Sequence, residues 1–215
     1  AGAHEALEVF IDGALRGYHS DRDRPDRVGT SLLSPHLHFG EIAPWRICAE
    51  LEKSRTAANG SDMDAYIREL GWREFAYHLL HHFPHTTNTN LNPRFEHFDW
   101  AKSDDAQLHA WQRGRTGVPI VDAGMRELAS TGWLSNRMRQ MVASYLIYDL
   151  GGDWRAGTAW FETQLIDYDV YSNQGNWLYI AGRGTDPRGG RRFNPQMQAQ
   201  QHDAEGLYRR FWGES

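Results

Sequence analysis

Glu69, Trp72 and Arg73 stand three and four positions apart in the stretch RELGWREFAYHLL. On a helix this spacing places a carboxylate, an indole and a guanidinium on one face. This set indicates a binding site only in combination with other groups of the chain. From these residues alone, a surface salt bridge beside a core tryptophan is the alternative.

A second group of polar side chains lies in TGWLSNRMRQMVAS, where Trp133, Asn136, Arg137 and Gln140 repeat the same spacing, and Arg139 adds a further donor. The opposite side is apolar, at Met141, Val142 and Leu146. Because each unpaired buried polar group costs about 1–3 kcal/mol, so many donors predict an anionic or heteroaromatic ligand.

The stretch GTSLLSPHLHFGEI offers hydroxyl groups and accessible backbone amides at Gly29, Thr30, Ser31 and Ser34, directly before a predicted helix. Backbone amides at such a position attract anions. The stretch is therefore suited to hold a phosphate without a glycine-rich loop. A plain N-cap is the alternative.

Nine tryptophans are many for 215 residues, and Trp100, Trp154 and Trp177 stand beside acids or turns instead of within apolar runs. A redox chain and ordinary core packing are the two interpretations. Histidines 78, 81, 82 and 85 include the i, i+4 spacing that can bind a metal. Because no carboxylate or cysteine stands at a usual spacing from them, no metal site is predicted.

Helices must position these side chains, because apolar residues recur at spacings of three and four through most of the chain. The pattern covers residues 6–15, 42–51, 67–80, 125–128, 138–146 and 160–166. No alternating strand rich in valine or isoleucine interrupts it, so the predicted fold class is all-α, with one domain over residues 1–215. Residues 88–99 lack the period and contain Pro93, which predicts a long surface connection.

Composition and charge exclude several classes of protein. The net charge of −5 argues against a protein that coats nucleic acid indiscriminately, although GRGTDPRGGRR at residues 182–192 carries four arginines and one aspartate. The single cysteine, Cys48, excludes an internal disulfide and a thiolate-ligated metal centre. No apolar run reaches the ~20 residues of a membrane span. We expect a monomeric protein of a bacterial-type cytoplasm.

Taken together, these stretches resemble the FAD-binding helical domain of the cryptochrome/photolyase family, nearly end to end. The resemblance rests on YHSDRDRPD from Tyr18, GTSLLSPHLHFGEI, ELGWREF, AWQRGRTGVPIVDAGMREL, TGWLSNRMRQMVASYL, DWRAGTAWF, LIDYDVYSNQGNW and RRFNP. LSNRMRQ, Tyr179 and GRGTDPRGGRRFNP are most similar to DASH cryptochromes, whereas SPHLHFGEIAP is more similar to bacterial photolyases for cyclobutane pyrimidine dimers. We expect the family's N-terminal α/β antenna domain to lie outside this sequence, and because the helical pattern begins at once after Ala1, we expect a longer parent protein.

The resemblance implies a U-shaped FAD within the helical bundle. Arg139 and Asp167 match an ion pair beside the isoalloxazine, Asp169 matches an acid that faces the flavin, and Asn173 matches the residue opposite flavin N5. Asn136 is expected between the flavin and the lesion. The full set of cofactor-binding residues implied in this way is Tyr18, Thr30, Ser31, Leu33, Ser34, Arg73, Asn136, Arg139, Asp167, Asp169 and Asn173.

The resemblance also implies a relay of tryptophans and a DNA site. Trp177, Trp154 and Trp100 match the family's electron-transfer path from the flavin to the surface, and Glu69 matches the acid that hydrogen-bonds the damaged bases. Gln140 and Tyr179 follow the DASH pattern, which leads us to expect single-stranded or locally unpaired DNA as the substrate. The implied DNA-binding residues are Arg22, Trp72, Arg137, Gln140, Tyr179 and Arg191.

The implied function is light-driven DNA repair by a deoxyribodipyrimidine photolyase, a carbon–carbon lyase. Excited reduced FAD donates an electron to a flipped-out pyrimidine dimer, the cyclobutane ring splits, and the electron returns. One alternative is a blue-light photoreceptor of the cryptochrome type, and another is a helical flavoprotein that binds nucleic acid without repair. Glu69, Trp72 and Asn136 favour repair, because a photoreceptor has no need of a lesion pocket.

Overall fold

A computed structural model of the chain describes residues 2–96, 100, 105–186 and 189–213. Within these ranges every regular element is a helix, which confirms the all-α fold class. The α-helices are α1 (Gly2–Asp12), α2 (Tyr18–Asp21), α3 (Ser34–His38), α4 (Pro44–Lys53), α5 (Gly60–His82), α6 (Asp105–Gln112), α7 (Pro119–Thr131), α8 (Asn136–Ser144), α9 (Trp154–Gln164), α10 (Val170–Ala181), α11 (Pro195–His202) and α12 (Leu207–Gly213). Short 3₁₀ turns at Pro84–Thr87 and Pro93–Phe95 and a π-helical turn at Tyr145–Asp149 connect some of them.

The chain divides into two compact units, residues 1–75 and 76–215, and the division falls inside α5. The assignment of one domain to the whole chain stays a prediction. Among the described helices, none has an apolar stretch long enough to cross a bilayer.

The first unit has its own core, which holds Tyr18 in place. Apolar side chains of α1, α4 and α5, among them Leu7, Ile47 and Met63, are buried together with Tyr18. The buried carboxylate of Asp62 accepts hydrogen bonds from the backbone amides of Gly17 at 2.9 Å and His19 at 2.8 Å. These amides lie at the start of α2, where helical donors have no partner within the helix. Asp62 therefore attaches α2 to α5.

The second unit is built around α7, which packs against α6, α8, α11 and α12. Helices α9 and α10 pack on each other, and Gly157 allows their close approach. A Cβ atom at Gly157 would lie 2.6 Å from Cζ3 of Trp177, a distance that no side chain can adopt without a shift. The indole of Trp177 therefore fills the space that an alanine at residue 157 would take.

One local expectation is wrong and another holds only in part. Trp133 does not share a helix with Asn136, because Ser135 caps α8 by accepting from the amide of Met138 at 3.4 Å, so that α8 begins at Asn136. Residues 88–99 are not entirely a surface connection, because Asn90 is 2% exposed. The amide of Leu91 donates to the carbonyl of Arg183 at 3.2 Å, which draws this segment onto the protein. Residues 97–99, like 187 and 188 of the arginine-rich run, lie outside the described residues.

Candidate functional site

The predicted phosphate-holding turn, residues 29–34, has a fixed backbone in the first unit. A Cβ atom at Gly29 would lie 2.5 Å from the carbonyl oxygen of Asp21, so glycine permits the turn to pass directly over that carbonyl. Leu32 has φ 53°, in the left-handed region, where a non-glycine residue costs about 1–3 kcal/mol. Such strain persists only where neighbouring contacts hold the backbone, and it is frequent at ligand sites.

The hydroxyl groups of this turn are partly engaged. Ser31 Oγ lies 2.9 Å from the hydroxyl of Tyr66, and it accepts from the amide of Leu33 at 3.3 Å. Burial raises the pKa of Tyr66 to about 12, so its hydroxyl stays protonated. The plain N-cap alternative is wrong, because Leu33 occupies the cap position of α3 and no side chain caps that helix. Thr30 and Ser34 are half-buried at either end of the turn.

Glu69 is paired with Arg22, and not with Arg73 as a simple salt bridge on α5 would require. Arg22 Nη1 donates to Glu69 Oε1, and its guanidinium carbon lies 5.4 Å from the ring centroid of Tyr18. Burial raises the pKa of the Tyr18 hydroxyl above its ordinary value, against the opposing effect of Arg22. Arg73 instead contacts Glu74 at 2.6 Å. Arg22 and Tyr18 therefore fix the position of the Glu69 carboxylate.

Trp72 is exposed and is not a core residue. Its side chain is 61% exposed, and its ring packs edge-to-face on Phe75 with centroids 5.8 Å apart. The core-tryptophan part of the alternative for RELGWREF is therefore wrong, whereas a surface salt bridge is present between Arg73 and Glu74. An exposed indole one turn from a fixed carboxylate can stack on an unpaired base.

In the second unit, Arg139 and Asp167 form the expected ion pair. Arg139 Nη2 donates to both carboxylate oxygens of Asp167, at 3.0 and 2.7 Å, and its Nε donates to the carbonyl of Leu134 at 2.9 Å. The Asp167 side chain is 2% exposed, whereas that of Arg139 is 27% exposed. Buried carboxylates are stable only when they are paired in this way. The pair links α8 to the segment before α10.

Asp169 is bound at both oxygens. Its Oδ1 accepts from the amide of Ser172 at 2.8 Å and so caps α10, while the Tyr77 hydroxyl donates to Oδ2. The ring of Tyr77 stacks on Tyr171, with centroids 4.2 Å apart and planes 6° apart. Sequence reasoning missed both tyrosines, although Tyr77 follows Arg73 by one helical turn and so lies on the same face of α5.

Two neighbouring amide side chains on α10 are buried without a complete set of partners. Oε1 of Gln174 has no hydrogen-bond partner among the described residues, and Nδ2 of Asn173 has no acceptor at full hydrogen-bonding geometry there, although the Asn173 side chain lies close enough to the Tyr168 hydroxyl to lower its pKa against the larger effect of burial. Each buried polar atom left in this state costs about 1–3 kcal/mol, which indicates that a polar ligand or water completes them. Asn173 was predicted as a cofactor residue, whereas Gln174 was not.

The remaining predicted DNA residues lie on α8, on α10 and in the arginine-rich run. Asn136 is exposed at the start of α8, and Gln140 is half-buried one turn later. Arg137 places its guanidinium carbon 5.6 Å from the ring centroid of Phe193. Arg191 contacts Asp186 at 3.0 Å and lies 5.4 Å from the ring centroid of Tyr179.

The three predicted relay tryptophans lie in or against the core of the second unit. Trp154 is 0% and Trp177 2% exposed, and half-buried Trp100 packs against the same core. Trp177 contacts the rings of Phe161 and Trp111, with centroids 5.2 and 6.5 Å away. Burial alone does not separate a relay from core packing.

The imidazole rings of three histidines at the end of α5 contact one another. The rings of His78 and His82 lie 4.4 Å apart, and those of His81 and His82 lie 5.1 Å apart. In the described ranges, no group of three or more histidine, cysteine, aspartate or glutamate side chains is arranged to hold a metal ion.

Comparisons with known proteins place these features in one family. A sequence profile described as the FAD binding domain of DNA photolyase matches residues 66–214. A deoxyribodipyrimidine photo-lyase of Agrobacterium fabrum (strain C58) is 46% identical over 212 residues, which are 98% of this chain and 44% of that protein. Among solved structures, the crystal structure of a bacterial class III photolyase from Agrobacterium tumefaciens has 45% sequence identity to this chain and superimposes with a TM-score of 0.91. The crystal structure of Synechocystis sp. PCC6803 cryptochrome has 39% sequence identity to this chain and a TM-score of 0.91. Each alignment covers 98% of this chain and 44% of the other, so the chain spans less than half the length of these relatives.

Proposed function

Because the chain belongs to the FAD-binding domain family of DNA photolyases, we propose that it is the catalytic part of a light-driven DNA repair enzyme. Membership confirms the resemblance to the cryptochrome/photolyase family and FAD as the cofactor of that family. The proposed activity is deoxyribodipyrimidine photolyase activity, and the proposed substrate is a cyclobutane pyrimidine dimer in UV-damaged DNA. We propose single-stranded or locally unpaired DNA as the preferred form, because Gln140 and Tyr179 follow the DASH pattern.

The observation that carries the proposal is the set of incompletely paired polar atoms on α10. Nδ2 of Asn173 and Oε1 of Gln174 are buried, and Asn173 lies one helical turn after Asp169, to which the Tyr77 hydroxyl donates. Donors and acceptors of this kind fit the polar edge of an isoalloxazine ring. FAD would supply the light-driven transfer of one electron when it is bound.

The remaining cofactor residues are assigned by chemistry and by the resemblance. The Arg139 guanidinium, paired with Asp167, would place a fixed positive charge beside the flavin ring. In the first unit, the hydroxyl groups of the 29–34 turn would bind the diphosphate. The proposed residues of that unit are Tyr18, Thr30, Ser31, Leu33, Ser34 and Arg73.

Substrate binding is assigned to exposed and fixed side chains of α5. Trp72 would stack on a flipped-out base, a contact worth about 1–3 kcal/mol per base. Glu69, which Arg22 holds in position, would accept a hydrogen bond from the damaged base and stabilise charge as the ring splits. Arg137 and Arg191 would bind phosphates, and Asn136 would lie between flavin and lesion.

The experiment is a blue-light repair assay on dimer-containing single- and double-stranded oligonucleotides, with the FAD-loaded and pre-reduced chain. We expect Glu69→Gln to slow repair about tenfold or more, because a hydrogen bond to a charged group is worth ~1.5–3 kcal/mol, and to leave the flavin bound. Glu162→Gln, an exposed glutamate of α9, is the matched control. Equal repair rates for both variants would remove Glu69 from the substrate site.

The proposed relay of Trp177, Trp154 and Trp100 has its own test. Trp177→Phe should block photoreduction of oxidised flavin while repair by pre-reduced protein continues. Unchanged photoreduction in this variant would exclude Trp177 from the path.

A blue-light photoreceptor is the second candidate, favoured by the likeness to the Synechocystis sp. PCC6803 cryptochrome. The repair assay separates the two candidates. A photoreceptor would reduce its flavin under light and leave dimers intact on both single- and double-stranded oligonucleotides.

A further inference from the structure

Trp111 is a fourth tryptophan in position to take part in electron transfer. It lies on α6 with 0% exposure, and its ring centroid is 6.5 Å from that of Trp177, with the planes at 75°. Phe161 lies against both indoles, stacked on Trp111 at 6.4 Å and edge-on to Trp177 at 5.2 Å. Because electron tunnelling is fastest between rings in contact, an electron vacancy on Trp177 can be filled from Trp111.

The hydrogen bond of Trp111 suits it to hold that vacancy. Its Nε1–H donates to the backbone carbonyl of Val142 at 3.0 Å. Loss of an electron makes an indole N–H more positive, so a carbonyl acceptor stabilises the oxidised ring. A carbonyl does not take up the proton at neutral pH, so Trp111 cannot relax to a neutral radical.

Trp154 is less favourable for the positive charge at the indole nitrogen. Its Nε1 is buried and has no acceptor in the part of the chain that the structure describes. Both indoles are fully buried, so solvent stabilises neither oxidised ring. Trp111 and Trp154 therefore differ at Nε1, which donates a hydrogen bond in Trp111 and has no acceptor in Trp154 among the described residues.

We propose that Trp111 is a dead-end branch of the electron-transfer path, an inference that rests on the proposed relay through Trp177. With FAD bound, Trp177 would give one electron to the photoexcited cofactor, and Trp111 would then give one electron to oxidised Trp177. Trp177 is restored, Trp111 becomes a radical cation, and no proton moves. Because Trp111 is enclosed, an external thiol cannot reduce it. The electron on the flavin would therefore return to oxidised Trp111. Trp111 thus limits the yield of stable photoreduction.

Laser-flash absorption of the FAD-loaded, oxidised chain tests this branch. In Trp154→Phe, where the path to the surface is cut, we expect a tryptophan radical cation to persist on Trp111. Adding Trp111→Phe should confine the tryptophan radical to Trp177. The lifetime of the tryptophan radical should then be about tenfold shorter, as for a free-energy difference of ~1.4 kcal/mol. In the otherwise unaltered chain, Trp111→Phe should raise the yield of stable reduced flavin about twofold if the two branches share the charge equally. Trp212→Phe, which removes an indole from α12, is the matched control.

The outcomes separate this inference from the relay itself. A tryptophan radical that survives in Trp177→Phe would overturn the relay. Loss of the radical in Trp177→Phe, with equal lifetimes in Trp154→Phe with and without Trp111→Phe, would overturn the Trp111 branch alone. If Trp111→Phe fails to fold or to bind FAD, pulsed electron paramagnetic resonance of Trp154→Phe decides. Two flavin–radical distances support the branch, and one distance, matching Trp177, refutes it.

Discussion

Replacing Glu127 by glutamine should stabilise the protein at pH 8 and have a much smaller stabilising effect, below about 1 kcal/mol, at pH 5. Burial raises the pKa of this carboxyl from its ordinary value of 4.5 to about 7, against the opposing effects of the Tyr208 hydroxyl, which donates to it, and of Arg139. A rise of this size corresponds to roughly 3 kcal/mol. Below pH 4.5 the group is protonated in both the folded and the unfolded state, so it costs nothing.

As the pH rises from 4.5 to 7, the unfolded chain releases the proton while the folded protein retains it, and the free energy of unfolding falls. Above pH 7 the full cost remains. Glutamine keeps an oxygen that accepts from Tyr208 and carries no charge, so Glu127→Gln should recover about 2–3 kcal/mol at pH 8.

Urea unfolding at pH 5 and pH 8, followed by circular dichroism, measures this difference, with exposed Glu162→Gln as the control. If Glu127→Gln raises the free energy of unfolding by less than about 1 kcal/mol at pH 8, or by the same amount at both pH values, burial does not raise the pKa of the Glu127 carboxyl.

Two further predictions concern packing and charge in the second unit. Gly157→Ala should lower the free energy of unfolding by about 1–3 kcal/mol through overpacking against Trp177. The control Gly175→Ala, whose Cβ would meet its nearest neighbour at 3.8 Å, should be neutral or stabilising. Thermal unfolding of both variants measures the difference, and an equal effect would contradict the packing argument. Asp167→Asn should lower the free energy of unfolding by about 2–3 kcal/mol, less than for a fully buried pair because Arg139 is 27% exposed. Flavin fluorescence titration of this variant should show weaker FAD binding. Unchanged affinity would remove the Arg139–Asp167 pair from the proposed flavin site.

The helices were predictable because their pattern is local. Apolar spacing of three and four between residues 67 and 80 indicates a helix whatever packs on it, and α5 covers this range. The start of α8 was less predictable, because one capping hydrogen bond at Ser135 decides whether Trp133 lies inside or outside the helix. Spacing alone does not distinguish these possibilities.

The partners of the candidate site residues were not predictable, because they come from distant parts of the chain. Glu69 contacts Arg22 and not its helical neighbour Arg73. The hydroxyl of Tyr77 meets Asp169, 92 residues away. The polarity of residues 165–182 predicted a polar ligand there, yet only the fold shows which buried polar atoms lack hydrogen-bond partners. Helical periodicity contains no information about such long-range pairs.

The arginines proposed to bind DNA bear on how this chain, with its net charge of −5, would select a lesion. Arg22 and Arg191 already contact the carboxylates of Glu69 and Asp186, so each pair carries no net charge before DNA arrives. Counterion release scales with the number of phosphates that are neutralised, with a slope of about −0.9 per contact for duplex DNA. Pre-paired arginines therefore contribute little to affinity for intact duplex. Selectivity would then come from the proposed contacts with the damaged base itself, which are stacking of an already unpaired base on exposed Trp72 and the hydrogen bond to Glu69.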